Sequence, residues 1–433
     1  MHSPEIGGFN IGSMRVLLIS DVYFPRVNGV STSIQTFLRG TSKTDEVCLI
    51  APDYGTSWDD EVHNVIRIRS YPTPGDHEDR LMYGNEIRKL LPRLRRQSFD
   101  AVHIHTFGIA FYEGLKLAKT LKLPVLSTYH THFEEYLPHY VSFLPASATR
   151  FGCHQVAIWQ CNAVNAVIVP SQEMALNLQH NGVRSPMHIV PTGIDLNRFS
   201  NGDGSRFRRK FRISPNRQML LFVGRVAPEK NVDFLIRMLG KVVVRFPDLL
   251  LVIVGGGHDL ERLQDFAHSL GLSMNVLFTG WLFRDTELLD CYDAADIFVF
   301  ASRTETQGLA LLEAMAMGVP IISTSHLGSR DTVQPHRGAV VAPEDELYFA
   351  REVCRLLGDA RCRKVLSDEG RRYAEICSAN AMIQKLSNAY GTTEYSPETL
   401  QSRIERQIWE GMALFLVVFY TLLERVQEWL RQS

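Results

Sequence analysis

Two short apolar runs, about 200 residues apart, constrain this chain more than any other feature. Residues 15–21 (RVLLISD) and 218–225 (QMLLFVGR) each read as a strand ending in polar residues, then a loop, then a helical stretch. Apolar runs this short, without polar alternation, suit parallel strands covered on both faces, which have no solvated side to alternate toward. Each start is followed by more units of the same kind. Strands are expected near 46–51, 100–104, 124–128, 166–169 and 187–190 in the first half. In the second they are expected near 249–254, 275–278, 296–300, 320–323 and 339–341, with helices between them, such as 257–270 and 346–357. Strand alternating with helix throughout predicts doubly wound α/β domains.

A length of 433 residues exceeds one ordinary core, so two domains and a tail are the reading. The boundaries drawn are 14–195 for the first domain, 206–375 for the second, 376–392 for a closing helix and 397–431 for an extra helix. Residues 201–205 (NGDGS), the densest Gly/polar cluster, read as linker or surface turn. In open α/β sheets ligands bind beyond the carboxyl ends of the strands, so chemistry belongs in the loops after them.

Glu305 and Glu313 lead those loops. Residues 298–318 read FVFASRTETQGLALLEAMAMG. A strand ends near Ala301, Glu305 lies in the loop, and a helix is expected from about Gln307. Thr306, Gln307, Gly308 and Leu309 then form a helix mouth whose backbone N–H groups suit a phosphate. Glu313, about two turns in, sits among apolar neighbours and needs a hydroxyl or a cation as partner. A capping Glu305 with a solvated helix face is the bland alternative.

Gly224 permits a tight turn after its strand, and Arg225 and Lys230 put two cations beside a helix start. Together they can hold a diphosphate and stabilise it as a leaving group, the task a divalent metal performs elsewhere. Taken alone, they read equally well as surface salt-bridge residues. In the loop after the first strand, Gly29 permits close approach to a ligand; the text is not GxGxxG, which counts against an ordinary dinucleotide enzyme. His130, after the run 124–127, is either a hydrogen-bond donor or proton shuttle near a reacting group, or a strand-end histidine held structurally. The pairs His103/His105 and His130/His132 share HxH spacing, but no Cys or carboxylate stands at ligand spacing, so no metal is expected. Residues 255–258 (GGGH) read as a plain βα turn or a ligand contact. Trp281 and Leu282, in the text FTGWL, can line a base pocket through their backbone.

Together these motifs resemble the retaining glycosyltransferases of family 4, which have the GT-B fold of two Rossmann-like domains facing across a cleft. The resemblance spans residue 14 to about 390. It rests on the Asn28-Gly29 loop, Thr128-Tyr129-His130-Thr131, Gly224-Arg225 with Glu229-Lys230, and the E-x7-E pair Glu305 and Glu313. It implies that Glu305 contacts sugar hydroxyls, Glu313 the ribose, and Arg225 and Lys230 the diphosphate. Gly29 then gives a backbone N–H to the diphosphate, and His130 lies beside the acceptor and transferred sugar. Chemistry in the family needs no metal or other cofactor beyond the nucleotide-sugar co-substrate, and it keeps the anomeric configuration. It runs by same-face attack through an oxocarbenium-like state, with the leaving phosphate taking the acceptor proton. The motifs sit nearest the diacylglycerol glucosyltransferases, so a hexose from UDP-glucose moved to a lipid or glycan hydroxyl is the expected reaction. A GDP-mannose-dependent mannosyltransferase is the alternative, then a non-catalytic nucleotide-sugar-binding module or a sugar-nucleotide epimerase.

A net charge of −1 gives no global attraction to nucleic acid, so any basic partner site is local. Residues 86–97 (EIRKLLPRLRRQ) form such a patch, of a kind that docks on anionic headgroups or serves as a solvated helix face. Beyond 397, Ile404, Ile408, Met412, Phe415, Phe419, Leu422, Val426 and Trp429 recur at helical spacing. That helix is read as an interfacial anchor, an oligomer seam or a cover for the body. The uncharged run 411–423 is 13 residues long, short of the roughly 20 a spanning helix needs. No cationic n-region or apolar h-region opens the chain. The seven cysteines lack a CxxC pair and read as reduced, mostly buried thiols. The expected location is cytoplasmic, peripheral on the cytoplasmic face of a membrane.

Overall fold

The run at 16–19 becomes a strand with all four residues buried, β1 (Val16–Ile19), and its counterpart becomes a five-residue strand at the start of the second half. The computed structural model describes residues 14–41, 47–55, 64–73, 76–130, 146–284, 286–334 and 336–396. The helix expected at 397–431 lies outside them. By internal contacts the chain divides into two units. The first holds the chain up to Pro170, Ala175–Val190 and the residues from Met382 on; the second holds Ser171–Met174 and Pro191–Ala381.

In the first unit the strands are β1, β2 (Val47–Pro52), β3 (Val65–Ile68), β4 (Ser70–Thr73), β5 (Asp76–Met82), β6 (Ala101–Ile104), β7 (Val125–Thr128), β8 (Ala166–Val169) and β9 (Met187–Ile189). Seven of them form one parallel sheet in the order β3-β2-β1-β6-β7-β8-β9. β4 and β5 make a separate antiparallel hairpin. The second unit has β10 (Met219–Val223), β11 (Leu250–Val254), β12 (Val276–Gly280), β13 (Ile297–Phe300), β14 (Ile321–Ser323) and β15 (Ala339–Val341). They too are all parallel, in the order β12-β11-β10-β13-β14-β15. Both sheets thus start in the middle, run to one edge and return to build the other half. Each therefore has a switch point, between β1 and β6 and between β10 and β13, the place where open α/β sheets bind their ligands.

Several expectations need correcting. β3 was not foreseen, because Arg67 interrupts its apolar text; the guanidinium Nη1 donates to the carbonyls of Phe24 (2.8 Å) and Pro52 (3.0 Å) instead of facing water. Residues 201–205 are more than a linker. Asp203 caps the helix Gly204–Lys210 through Arg206 N (3.0 Å), and a Cβ at Gly204 would meet the backbone of Ala294 at 2.8 Å. The basic stretch 86–97 is two short helices, Gly84–Lys89 and Leu91–Arg96, meeting at Leu90, since Pro92 suits the first turn of a helix and no later one. Of the cysteines, Cys48, Cys161 and Cys291 are buried and the other four half-buried; none is in a disulfide.

The last described helix, Ala379–Thr392, begins in the second unit and continues in the first. Its Met382, Ile383, Leu386 and Tyr390 join the core that Ile34, Phe37 and Leu38 line. Among the described residues no helix is long and apolar enough to cross a membrane.

Candidate active site

In the second unit the loops after β10, β11 and β12 lock edge to edge. Gly224 N–H donates to Val254 O (3.0 Å), Val226 N–H to Gly256 O (2.9 Å) and Gly255 N–H to Gly280 O (2.9 Å). Gly255 (φ +127°) and Gly257 (φ +158°) adopt conformations that side chains disfavour, and a Cβ on either would collide with the carbonyl of Gly224 or of Val226. The glycines of 255–257 therefore serve loop-to-loop packing. Gly256 lies under the indole of Trp281, where a Cβ would meet Nε1 at 2.6 Å. Trp281 itself is exposed and Leu282 half-buried.

Beyond β10, a single 3-10 turn (Pro228–Lys230) leads through Asn231, at φ +55°, into the helix Val232–Val242. Arg225 donates to Glu229 Oε1 at 2.6 Å, and Lys230 Nζ donates to Glu305 Oε1. These side chains keep 29% (Arg225), 13% (Lys230) and 15% (Glu305) of their surface exposed. Because β10 and β13 are neighbours at the switch point, the Arg225–Lys230 loop meets the loop that carries Glu305, and Arg303 N–H adds a bond to Glu229 O (3.1 Å).

The Glu305 loop is fixed from behind. Gly328 N–H donates to Glu305 O (2.9 Å), and a side chain at Gly328 would collide with Thr306 O. Ser171 Oγ donates to Thr306 O (3.0 Å). Gln307 accepts from Thr192 N–H (2.7 Å) and donates to Thr192 O (2.9 Å), and its backbone carbonyl accepts from Thr332 Oγ1 (2.9 Å), so its amide and carbonyl are spent on the chain. Gly308, at φ +83°, turns the chain, and the helix starts at Leu309, two residues later than expected. Glu313 is consequently about one turn in.

Glu313 is 5% exposed. Tyr292 Oη donates to its Oε2 at 2.9 Å, and Arg284 Nη2 donates to Oε1. The buried carboxylate thus has both a hydroxyl and a cation, which a solvated helix face would not need. Burial, then the Glu313 charge, pushes the Tyr292 phenol well above its ordinary value, so it remains a donor. Sequence reasoning missed Tyr292 and Arg284; a cation three residues after Trp281 in a strand-end loop was the available signal. Ser302, Thr304 and Thr324 lie at the carboxyl ends of β13 and β14 with hydroxyls that are buried and without a hydrogen-bond partner.

In the first unit, Asn28 and Ser31 form a reciprocal capping box at the start of the helix Gly29–Gly40 (both bonds 2.9 Å), and Gly29 is exposed at its first position. Asp21, just past β1, accepts from Thr106 Oγ1 (2.9 Å) and from Ala110 N–H (3.0 Å) at the start of another helix. The three histidines His103, His105 and His130 cluster at the ends of β6 and β7, with ring centroids 4.1 Å (His103–His105) and 5.3 Å (His105–His130) apart. His103 is held by Tyr390 Oη (2.7 Å) and Thr128 Oγ1 (2.6 Å), a structural role. Desolvation pushes His103 and His130 down to about 3 and His105 the same way, so all three are neutral near pH 7. His132 lies outside the described residues. Among the described residues no three His, Cys, Asp or Glu side chains are arranged to hold a metal ion.

Comparison with known proteins matches this architecture. Residues 27–198 match the model described as Glycosyltransferase Family 4, and residues 203–373 the model described as Glycosyl transferases group 1. The chain is 31% identical over 323 residues to an alpha-monoglucosyldiacylglycerol synthase of Streptococcus pneumoniae, covering 72% of this chain and 71% of that protein. It is 30% identical over 345 residues to a GDP-mannose-dependent alpha-mannosyltransferase of Mycobacterium tuberculosis, covering 77% and 85%. Among solved structures, Anabaena HepE in complex with UDP-glucose aligns with a TM-score of 0.71 at 17% identity, covering 88% of this chain and 100% of that one. Sucrose-phosphate synthase from Thermosynechococcus elongatus gives 0.69 at 19%, covering 87% and 98%. The chain belongs to glycosyltransferase family 4 and is a hexosyltransferase of GT-B fold.

Proposed function

We propose that this transferase moves a glucosyl residue from UDP-glucose to the hydroxyl of a glycerolipid, with retention at the anomeric carbon and without a metal ion. The observation that carries the reading is the meeting of Arg225, Lys230, Glu305 and the helix mouth at Gly308–Leu309 in loops after adjacent strands. Two cations and a helix N-terminus suit a diphosphate. A carboxylate beside them suits sugar hydroxyls. Glu313 takes the ribose, and Trp281 and Leu282 offer backbone to the base. The buried hydroxyls of Ser302, Thr304 and Thr324 mark the same strand ends as a polar environment that a polyhydroxylated ligand completes.

In the reaction the bond between C1 and the β-phosphate oxygen breaks, and Arg225 and Lys230 stabilise the charge that develops there. The acceptor oxygen bonds to C1 from the same face, and its proton passes to the leaving phosphate. The relative from Streptococcus pneumoniae supports glucose and a diacylglycerol acceptor; the one from Mycobacterium tuberculosis favours GDP-mannose as the second reading.

We also propose that the enzyme works at the cytoplasmic face of a membrane. Arg88, Lys89, Arg93, Arg95 and Arg96 are exposed while Ile87 and Leu94 are buried, so this face offers charge to anionic headgroups and keeps its apolar residues for the core.

The deciding experiment offers the purified full chain UDP-glucose or GDP-mannose with a membrane lipid extract, with and without EDTA, and identifies products by mass spectrometry. A hexosyl-lipid formed from UDP-glucose in EDTA is expected. Transfer from GDP-mannose alone moves the assignment to the second reading, and loss of product in EDTA ends the metal-free one. Nucleotide binding without turnover of any donor would leave a non-catalytic module.

A further inference from the structure

A cavity of about 670 Å³ opens in the second unit between the ends of two packed helices, Val232–Val242 and Glu346–Gly358. Gln218, the residue before β10, donates to Leu357 O (3.2 Å) in the last turn of the second helix, which puts the cavity beside the amino end of that strand. The Arg225 and Glu305 loops leave the carboxyl ends of β10 and β13. Lys241, Arg245, Arg351 and Arg355 line the cavity, and all four are exposed. Two of these cations are spent: Lys241 pairs with Glu346 (3.2 Å) and Arg355 with Glu352 (2.9 Å). Arg245 and Arg351 instead lie over the rings of Phe246 (5.7 Å to the centroid) and Tyr348 (5.4 Å). Among the described residues neither has a carboxylate or carbonyl partner, and a guanidinium stacked on a ring keeps its N–H fork available at the edge. Asp359 also lines the cavity, but its Oδ1 accepts from Cys362 N–H (2.8 Å) at the start of the next helix, whose partial positive charge offsets it. Burial raises the Cys354 thiol against the pull of Arg245, so that wall adds no anion. The wall at Leu347 and Ala350 is apolar, and Leu347 is exposed.

We propose that this cavity is a second anion site, which binds a phosphate monoester: Arg245 and Arg351 grip the phosphate, and the organic part lies against Leu347. A phosphate monoester carries a charge of about −1.5 to −2 near pH 7, which matches two uncompensated guanidinium groups, and its oxygens accept bidentate bonds from them. A carboxylate would balance only one. The site is separate from the diphosphate site at Arg225 and Lys230, and it does not rest on the donor or acceptor read above. The ester can be free in solution or carried by a lipid, and the two sources are separated below.

The test titrates glycerol 3-phosphate into the full chain at low salt by calorimetry, with UDP at saturation to occupy the diphosphate site. Arg245→Gln with Arg351→Gln should weaken binding of the ester at least about ten-fold and leave UDP affinity unchanged. Arg209→Gln with Arg212→Gln, an equal charge change at exposed positions of the same unit outside the cavity, should leave both unchanged. A second arm measures flotation with phosphatidic acid vesicles, in a chain that also carries Arg93→Glu, Arg95→Glu and Arg96→Glu to remove the charge of the 86–97 face. Vesicle binding that needs Arg245 and Arg351, without binding of the free ester, makes the ligand a lipid headgroup and keeps the proposal. Binding of neither probe, or a loss no larger in the cavity variant than in the control, overturns it. Should the Gln pair not fold, Arg245→Lys with Arg351→Lys keeps the charge, removes the fork and should still weaken binding of the ester.

Discussion

The ammonium of Lys230 donates to Oε1 of Glu305, joining the loops that follow neighbouring strands β10 and β13. Both side chains are largely buried, at 13% and 15% exposure, so the pair is screened little by water. Lys230→Ala removes a diphosphate cation and unpairs a carboxylate in one step. A loss of about 3 kcal/mol in transition-state stabilisation, roughly a hundred-fold in kcat/KM, is expected. Glu305→Gln keeps the shape and should lose a similar amount if the carboxylate grips the sugar. Steady-state kinetics on both and on the double variant will show non-additive losses; strictly additive losses would mean that the pair does not act as a unit.

Glu313 makes a different prediction, on stability. Glu313→Leu leaves the Arg284 guanidinium without its carboxylate and Tyr292 with only the long bond to Ala310 O (3.4 Å), so a cost of about 3 kcal/mol is expected. Tyr292→Phe removes one hydrogen bond and should cost about 1 kcal/mol. Urea midpoints of the two variants should rank in that order, and the reverse order would contradict the pairing.

Gly255 is where backbone conformation and space coincide. At φ +127°, with the Gly224 carbonyl in the way of any Cβ, Gly255→Ala should cost more than about 2 kcal/mol and displace the Arg225 loop. Gly271 is a control: its φ is +71° with nothing within 4 Å of a Cβ, so Gly271→Ala should cost about 1 kcal/mol. Differential scanning fluorimetry of the pair, with UDP titrated, separates local strain from lost binding. Equal shifts in both would remove the collision argument.

The histidine cluster predicts acid sensitivity. His103 and His130 fall from 6.5 to about 3 on folding. Between those values the unfolded chain binds more protons than the folded one. Their contribution is therefore complete above about pH 6.5 and lost as pH falls toward 3. The thermal midpoint should hold from pH 8 to 7 and fall from pH 6 to 4, less steeply in His103→Gln. Identical slopes for the variant and the parent would show that the cluster is not responsible.

Charge on the 86–97 face is tested by flotation. Replacing Arg93, Arg95 and Arg96 by Glu should abolish binding to vesicles of phosphatidylglycerol at low salt and leave binding of UDP unchanged. Undiminished binding would assign the membrane contact elsewhere.

The strand pattern was legible because a doubly covered parallel strand writes itself as contiguous apolar residues, as at Val16–Ile19 and Met219–Val223. Glu313 was legible as a buried carboxylate for the same reason: its neighbours in sequence are apolar. β3 was not, because what holds the half-buried Arg67 is the carbonyls of Phe24 and Pro52, 43 and 15 residues away.

The sequence by itself determined the two α/β halves and the loops in which charged residues and glycines gather, since periodicity and turn chemistry belong to adjacent residues. Only the tertiary structure decided the pairings: Lys230 with Glu305, Glu313 with Arg284 and Tyr292, and His105 with His130. Those depend on strand order within each sheet, which brings residues distant along the chain to one edge. No local pattern records that order.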